Sequence, residues 1–278
     1  MNIKKIIKFS FLLIITLIVI LATINSLVVI HLIDNHASNN KIHDLVSFQS
    51  GMAFLLKESI RTENLEELNT ITKDFIRYEK QFETLKNELL NHRLDVLDFI
   101  IENIHFNPVI IHNLALLYEN EKLLESSFSQ AIELQKQRFE LITLFKKDYP
   151  LEKNIRNRLE KKVIERQDMH MLLSFGNLKY YSKETLFQYK NQHYLNQWLN
   201  EADIIKSEFK VEGLEQYISV VKKVGSYILG IEKIKTQEST LENQILAILK
   251  SNQKVNSDIV KKITELSNSF VNIIYLTI

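Results

Sequence analysis

Residues 241–270 read LENQILAILKSNQKVNSDIVKKITELSNSF, and their spacing decides the fold class. Leu241, Ile245, Ile248, Val255, Ile259, Ile263, Leu266 and Phe270 recur every three or four positions, the period of one face of an α-helix. A half-buried strand would alternate every second residue instead. Asn252 fills the one polar slot in the stripe, and a lone polar seam residue fixes register at some cost in stability. A narrow stripe of this kind suits helices that cross at about 20°.

The same period runs upstream. Leu65, Leu68, Ile71, Phe75, Tyr78, Phe82, Leu85 and Leu89 form one stripe, and Leu214, Tyr217, Val221, Val224, Ile228 and Ile231 form another. Composition agrees. The 278 residues include five glycines and two prolines, where an average chain of this length holds about thirty. Strands need frequent turns and turns draw on those two residues, so their scarcity argues for a few long helices.

The expected plan starts with a helix that reaches about Thr62. A second covers about Asn64–Leu90 and a short one lies near Arg93–Ile104. Asn107-Pro108 reads as a cap followed by the first helical position. The helix it opens runs to about Lys147, where Asp148-Tyr149-Pro150 breaks it, and another follows from Pro150 to Lys190. A helix at about His193–Phe209 leads into a last one from Gly213, with a weak point near Thr236–Ser239. The fold expected is all-α: an elongated antiparallel helical bundle, two stacked four-helix modules and an N-terminal transmembrane helix.

Phe9 to Ile33 contains no Asp, Glu, Lys or Arg. That is longer than the about 20 residues a helix needs to cross a bilayer and longer than a secretory signal core. It reads as an uncleaved anchor over residues 9–33. Lys4, Lys5 and Lys8 lie in residues 1–8, which the positive-inside rule keeps in the cytoplasm. Residues 34–269 are then exported, to the periplasm of a bacterial inner membrane. Residues 270–278, FVNIIYLTI, read as the cut-off start of a second crossing.

Thirty-five basic and 34 acidic residues balance to +1, with no basic stripe to suggest nucleic acid. The absence of cysteine excludes disulfides and thiolate chemistry. No phosphate-binding glycine loop, zinc-protease helix or nucleophile elbow occurs. No enzyme, cofactor or metal is therefore expected. His36 and His43 share a helix face and suit a metal or proton sensor in type, but read as solvated surface.

An internal echo suggests two modules. Lys57-Glu58-Ser59-Ile60 precedes one amphipathic helix and Lys183-Glu184-Thr185-Leu186 precedes another. Tyr180-Tyr181-Ser182-Lys183-Glu184-Thr185-Leu186-Phe187-Gln188-Tyr189, followed by His193 to Trp198, resembles a segment of periplasmic sensor regions. With the anchor and returning helix, the chain resembles the helical bimodular sensor domains of bacterial histidine kinases and chemoreceptors, without their HAMP segment and transmitter. The resemblance implies two stacked four-helix bundles that bind small molecules, often organic anions, and relay helix shifts across the membrane.

Candidate ligand residues are cations and hydrogen-bonding aromatics on amphipathic helices, because converging cations capture anions. Lys57, Arg61 and Arg77 are the candidates in the first module, and Lys183, Tyr189 and Trp198 in the second. Seam-like stripes beside the membrane suggest a homodimer. The competing reading is a membrane-tethered helical scaffold or interaction protein of the cell envelope.

Overall fold

The computed structural model describes residues 3–90, 107–187 and 192–277. Among them are six helices and no strand, so the chain is all-α. The helices are α1 (Ile3–Arg61), α2 (Leu65–Leu90), α3 (Pro108–Arg166), α4 (Met169–Phe187), α5 (Gln192–Glu208) and α6 (Leu214–Thr277). The short helix expected near residues 93–104 lies outside the described residues.

Local chemistry sets most helix ends. Asn64 Oδ1 accepts the Glu66 amide at 2.8 Å, which caps α2. Asn107 Oδ1 accepts the Val109 amide at 3.0 Å ahead of Pro108, the cap read from the sequence. Gly213 has φ +88°, a conformation that favours glycine, at the turn into α6.

Two expected breaks are absent. Helix α3 runs through Pro150, and α6 runs through Thr236–Ser239. Pro150 removes one amide donor from the helix, but it is exposed, where water can serve the carbonyl left over. Side chains on both sides of it are tied to α6. The Tyr227 hydroxyl donates to Asp148 at 2.8 Å and the Tyr217 hydroxyl donates to Glu152 at 2.8 Å. The chain breaks instead at Gln167, whose φ of 54° turns it out of α3, and Asp168 Oδ1 caps α4 through the Met171 amide at 3.1 Å.

The chain divides into two compact units. Unit 1 comprises Met1–Ser59, Leu68–Phe128 and Asn243–Ile278, and unit 2 comprises Ile60–Glu67 and Ser129–Glu242. The core of unit 1 joins Ile42 and Leu45 of α1, Phe82 and Leu89 of α2, Ile110 and Leu117 of α3, and Val255 and Ile259 of α6. Phe75 and Phe128 stack with ring centroids 3.8 Å apart. Asn252, the polar slot in the seam, accepts from Asn120 Nδ2 at 2.7 Å. Gln49 Nε2 donates to the Leu117 carbonyl.

Unit 2 packs α3, α4, α5 and α6 around Ile155, Leu159, Phe175, Leu178, Trp198, Ile205, Tyr217 and Val221. Within this unit α3 and α6 are antiparallel: Arg138 meets Glu238, whereas Glu152, later on α3, meets Tyr217, earlier on α6. Gln135 Nε2 donates to both Glu238 and the Ile60 carbonyl at 2.7 Å, which occupies the Glu238 carboxylate where a break was expected.

At its N-terminal end α1 is apolar and uncovered. Ile7, Phe9, Phe11, Leu12 and Leu13 are all more than half exposed, and its most apolar 18-residue window is 6% buried. This helix is long and apolar enough to span a membrane, and its slight burial separates it from a core helix. Thr16 and Thr23 hydroxyls donate to the carbonyls of Leu12 and Val19, at 2.9 and 2.8 Å, so both are satisfied within the helix.

Replacing Pro150 by Ala restores the missing helical donor without touching the core. The Pro150→Ala variant should gain about 1–3 kcal/mol of unfolding free energy, measured by urea denaturation. A loss of stability would show that α3 is not continuous at this point.

Candidate functional site

In unit 2 the stripe of α3 that faces the interior is not wholly apolar. Glu152, Ile155, Arg156, Leu159 and Val163 are all buried, and they follow helical spacing. Two slots in a core stripe therefore hold an acid and a base. Glu152 is 0% exposed and Arg156 4%.

Their partners come from other helices. Arg156 Nε donates to Glu152 Oε1 at 3.0 Å, and the Tyr217 hydroxyl of α6 donates to the same oxygen at 2.8 Å. The other carboxylate oxygen, Glu152 Oε2, is shielded from solvent and has no hydrogen-bond partner. Trp198 of α5 is fully buried. Its indole N–H lies beside the Tyr217 hydroxyl, near enough to favour the phenolate slightly, yet forms no hydrogen bond of acceptable geometry. Ser182 of α4 is also buried, and its hydroxyl has no partner. Buried polar groups are nearly always satisfied. A unit with such groups on three helices is prepared for something polar inside it, a water or a small ligand.

Electrostatics follow from burial. Desolvation pushes the Glu152 carboxyl above its ordinary 4.5, against the opposing pull of Arg156 and of the Tyr217 hydrogen bond. Desolvation, then the Glu152 charge, push the Tyr217 phenol well above its ordinary value. A second polar group adjoins Pro150. Lys223 Nζ and the Tyr227 hydroxyl both meet Asp148 Oδ2 at 2.8 Å, and the Lys223 bond, then that of Tyr227, hold this carboxyl below its usual range.

In unit 1, Glu79, Glu121 and Glu125 each bring a carboxylate oxygen within 4.8 Å of the others, spacing that suits a metal ion. Burial, then Glu83, push Glu121 up to about 7.

The residues singled out in the sequence are placed as follows. Lys57 and Lys183 are exposed. Arg61 is exposed and pairs with Glu242 at 3.8 Å. Arg77 is exposed, pairs with Asp74 at 3.2 Å on its own helix and lies over the Tyr78 ring. Tyr189 lies outside the described residues. Of the five that are described, Trp198 alone falls within the buried polar cluster. His36 and His43 are exposed. Glu152 and Arg156 were missed because LEKNIRNRLEKKVIER reads as a charged surface. The signal was there, since both continue the Leu159–Val163 stripe backwards at helical spacing.

No family model, characterised protein or solved structure matches the chain.

The Tyr217→Phe substitution tests the cluster. It removes a hydroxyl that lowers the Glu152 pKa, so that pKa should rise further. A raised carboxyl pKa means that the folded chain holds the proton more tightly than the unfolded chain. Its stabilising effect is present at low pH and is lost as pH rises through the folded value. The variant should lose about 1–3 kcal/mol of stability, and its deficit should widen as pH rises above the ordinary carboxylate range. A pH-independent deficit in paired urea titrations would refute the coupling.

Proposed function

We propose that the chain is the extracytoplasmic input module of a transmembrane receptor and senses a small ligand. The observation that carries this reading is the buried cluster of Glu152, Arg156, Trp198 and Tyr217, in which Glu152 Oε2 and Trp198 Nε1 have no partner. An arginine fork suits a carboxylate. A free carboxylate oxygen accepts from an ammonium or a hydroxyl group. The ligand class is thus a small organic anion that also carries a donor, such as an amino or hydroxy acid.

The apolar part of α1 is the membrane anchor in this reading. Lys4, Lys5 and Lys8 hold its start in the cytoplasm, and the rest of the chain lies in the periplasm as a homodimer. The two units are the two four-helix modules of a helical bimodular sensor, and the output is a kinase, cyclase or receptor tail. Ligand binding favours one of two helix packings, and α6, which carries Tyr217, moves with it. The ligand biases that balance only as far as its affinities for the two packings differ.

Trp198 is the single tryptophan of the chain, so its fluorescence reports on the cluster alone. The full chain in nanodiscs, screened against amino acids, organic acids and polyamines, should respond to one class. The response should combine a raised melting temperature with a shift in Trp198 emission at the same half-saturation, and Arg156→Lys should lose both. A folded chain that answers to none of the three classes overturns sensing and favours an envelope scaffold.

A further inference from the structure

In unit 1 the core stripe of α3 carries two polar slots. Ile110, Asn113, Leu117, Asn120 and Leu124 are all buried and follow spacings of three and four. Asn120 is answered from α6: its Nδ2 donates to Ser251 Oγ at 3.0 Å and to Asn252 Oδ1 at 2.7 Å. Asn113 is 6% exposed, and among the described residues nothing hydrogen-bonds to its carboxamide. Buried polar groups are nearly always satisfied, so this one calls for a partner. Asn113 instead lines a cavity of about 550 Å³ together with His112 of α3 and Ser251, Lys254 and Asp258 of α6. That volume lies within the range of small-molecule pockets, about 300–1,000 Å³, and far exceeds one water. Val109, Leu116 and Val255 give the cavity apolar walls. Lys254 and Asp258 lie one turn apart on α6, and among the described residues neither has an ion-pair partner.

We infer that this cavity binds a small zwitterion, an α-amino acid with an aliphatic side chain. Lys254 suits its carboxylate and Asp258 its ammonium group. The Asn113 carboxamide offers both a donor and an acceptor, so it serves either group. Ser251 Oγ already accepts from Asn120, which leaves its proton to donate into the cavity. The two opposite charges select by exclusion as well as by attraction. An organic anion without an amine brings its charge beside Asp258, and an amine without a carboxylate brings its own beside Lys254. The aliphatic side chain is taken out of water against Val109, Leu116 and Val255. All these residues belong to unit 1, so the inference stands apart from the cluster around Trp198 in unit 2.

The test is calorimetric titration of the full chain in nanodiscs at neutral pH with L-valine, L-leucine and L-isoleucine. At least one should bind saturably with a dissociation constant below about 1 mM. 4-Methylpentanoate, which is leucine without its amine, and isoamylamine, which is leucine without its carboxylate, should each bind about three- to tenfold more weakly or not at all. Lys254→Gln and Asp258→Asn should each weaken amino-acid binding by about the same factor. Lys254 is exposed and Asp258 is half-buried outside the apolar core, so both variants keep the fold. Arg156→Lys, which alters the cluster in unit 2, should leave this binding unchanged. Absence of saturable binding by all three amino acids, or unchanged affinity in both Lys254→Gln and Asp258→Asn, overturns the inference. Binding that Arg156→Lys abolishes belongs to unit 2 and overturns it as well, while leaving the sensing proposal standing.

Discussion

Helix α6 carries an apolar stripe in each unit, and within each unit the other packed helices are ordered by the need to cover it. A helix of this length has little intrinsic stability in water, and most of what it has comes from burying its apolar face. Each Leu, Ile or Val taken out of water contributes about 1.5–3 kcal/mol. In unit 2 the stripe is covered by α3, α4 and α5, where Tyr217, Val221 and Val224 are wholly buried. In unit 1 it is covered by α1, α2 and α3, where Val255 and Ile259 are buried. Long helices follow from this constraint, because any break would uncover the stripe on one side.

Polar residues inside such a core give it a particular register at a cost in stability. The Asn120–Asn252 pair holds α3 against α6 in unit 1, and Gln135 with Glu238 does so in unit 2. Sliding either helix by one turn would leave these amides unpaired in an apolar setting, which costs about 1–3 kcal/mol for each group. Glu152 and Arg156 differ from these pairs. Both members of this pair carry charge, and both are buried. An ion pair in a core is weak evidence for stability, since an apolar pair of equal volume often serves better. Its retention among tightly packed helices is the reason to look for chemistry there.

The first part of α1 obeys the opposite rule. Its leucines and isoleucines face outward and its threonines fold their hydroxyls back onto the helix. In water that surface would be unfavourable. In hydrocarbon it is the only arrangement that leaves no backbone or hydroxyl group unsatisfied. Along α1 the apolar side chains are largely uncovered from Ile7, and buried apolar positions appear at Val28 and recur from Ile42.

Periodicity and composition alone determined the all-helical class, the apolar N-terminal helix, the Asn107-Pro108 cap and the stripes of α2 and α6, because these depend on spacing along one chain. Tertiary structure decided the rest. Pro150 reads as a break and is carried through because Asp148 and Glu152, on either side of it, are held by α6. Thr236–Ser239 reads as a weak point and is held because Gln135 reaches Glu238 from α3. The sequence pointed to exposed cations at Lys57, Arg61, Arg77 and Lys183, whereas Glu152 and Arg156 are a charged pair buried in the core of unit 2. A charge in a core slot looks like any surface charge until the partner across the interface is known, and that partner lies some sixty positions away on α6.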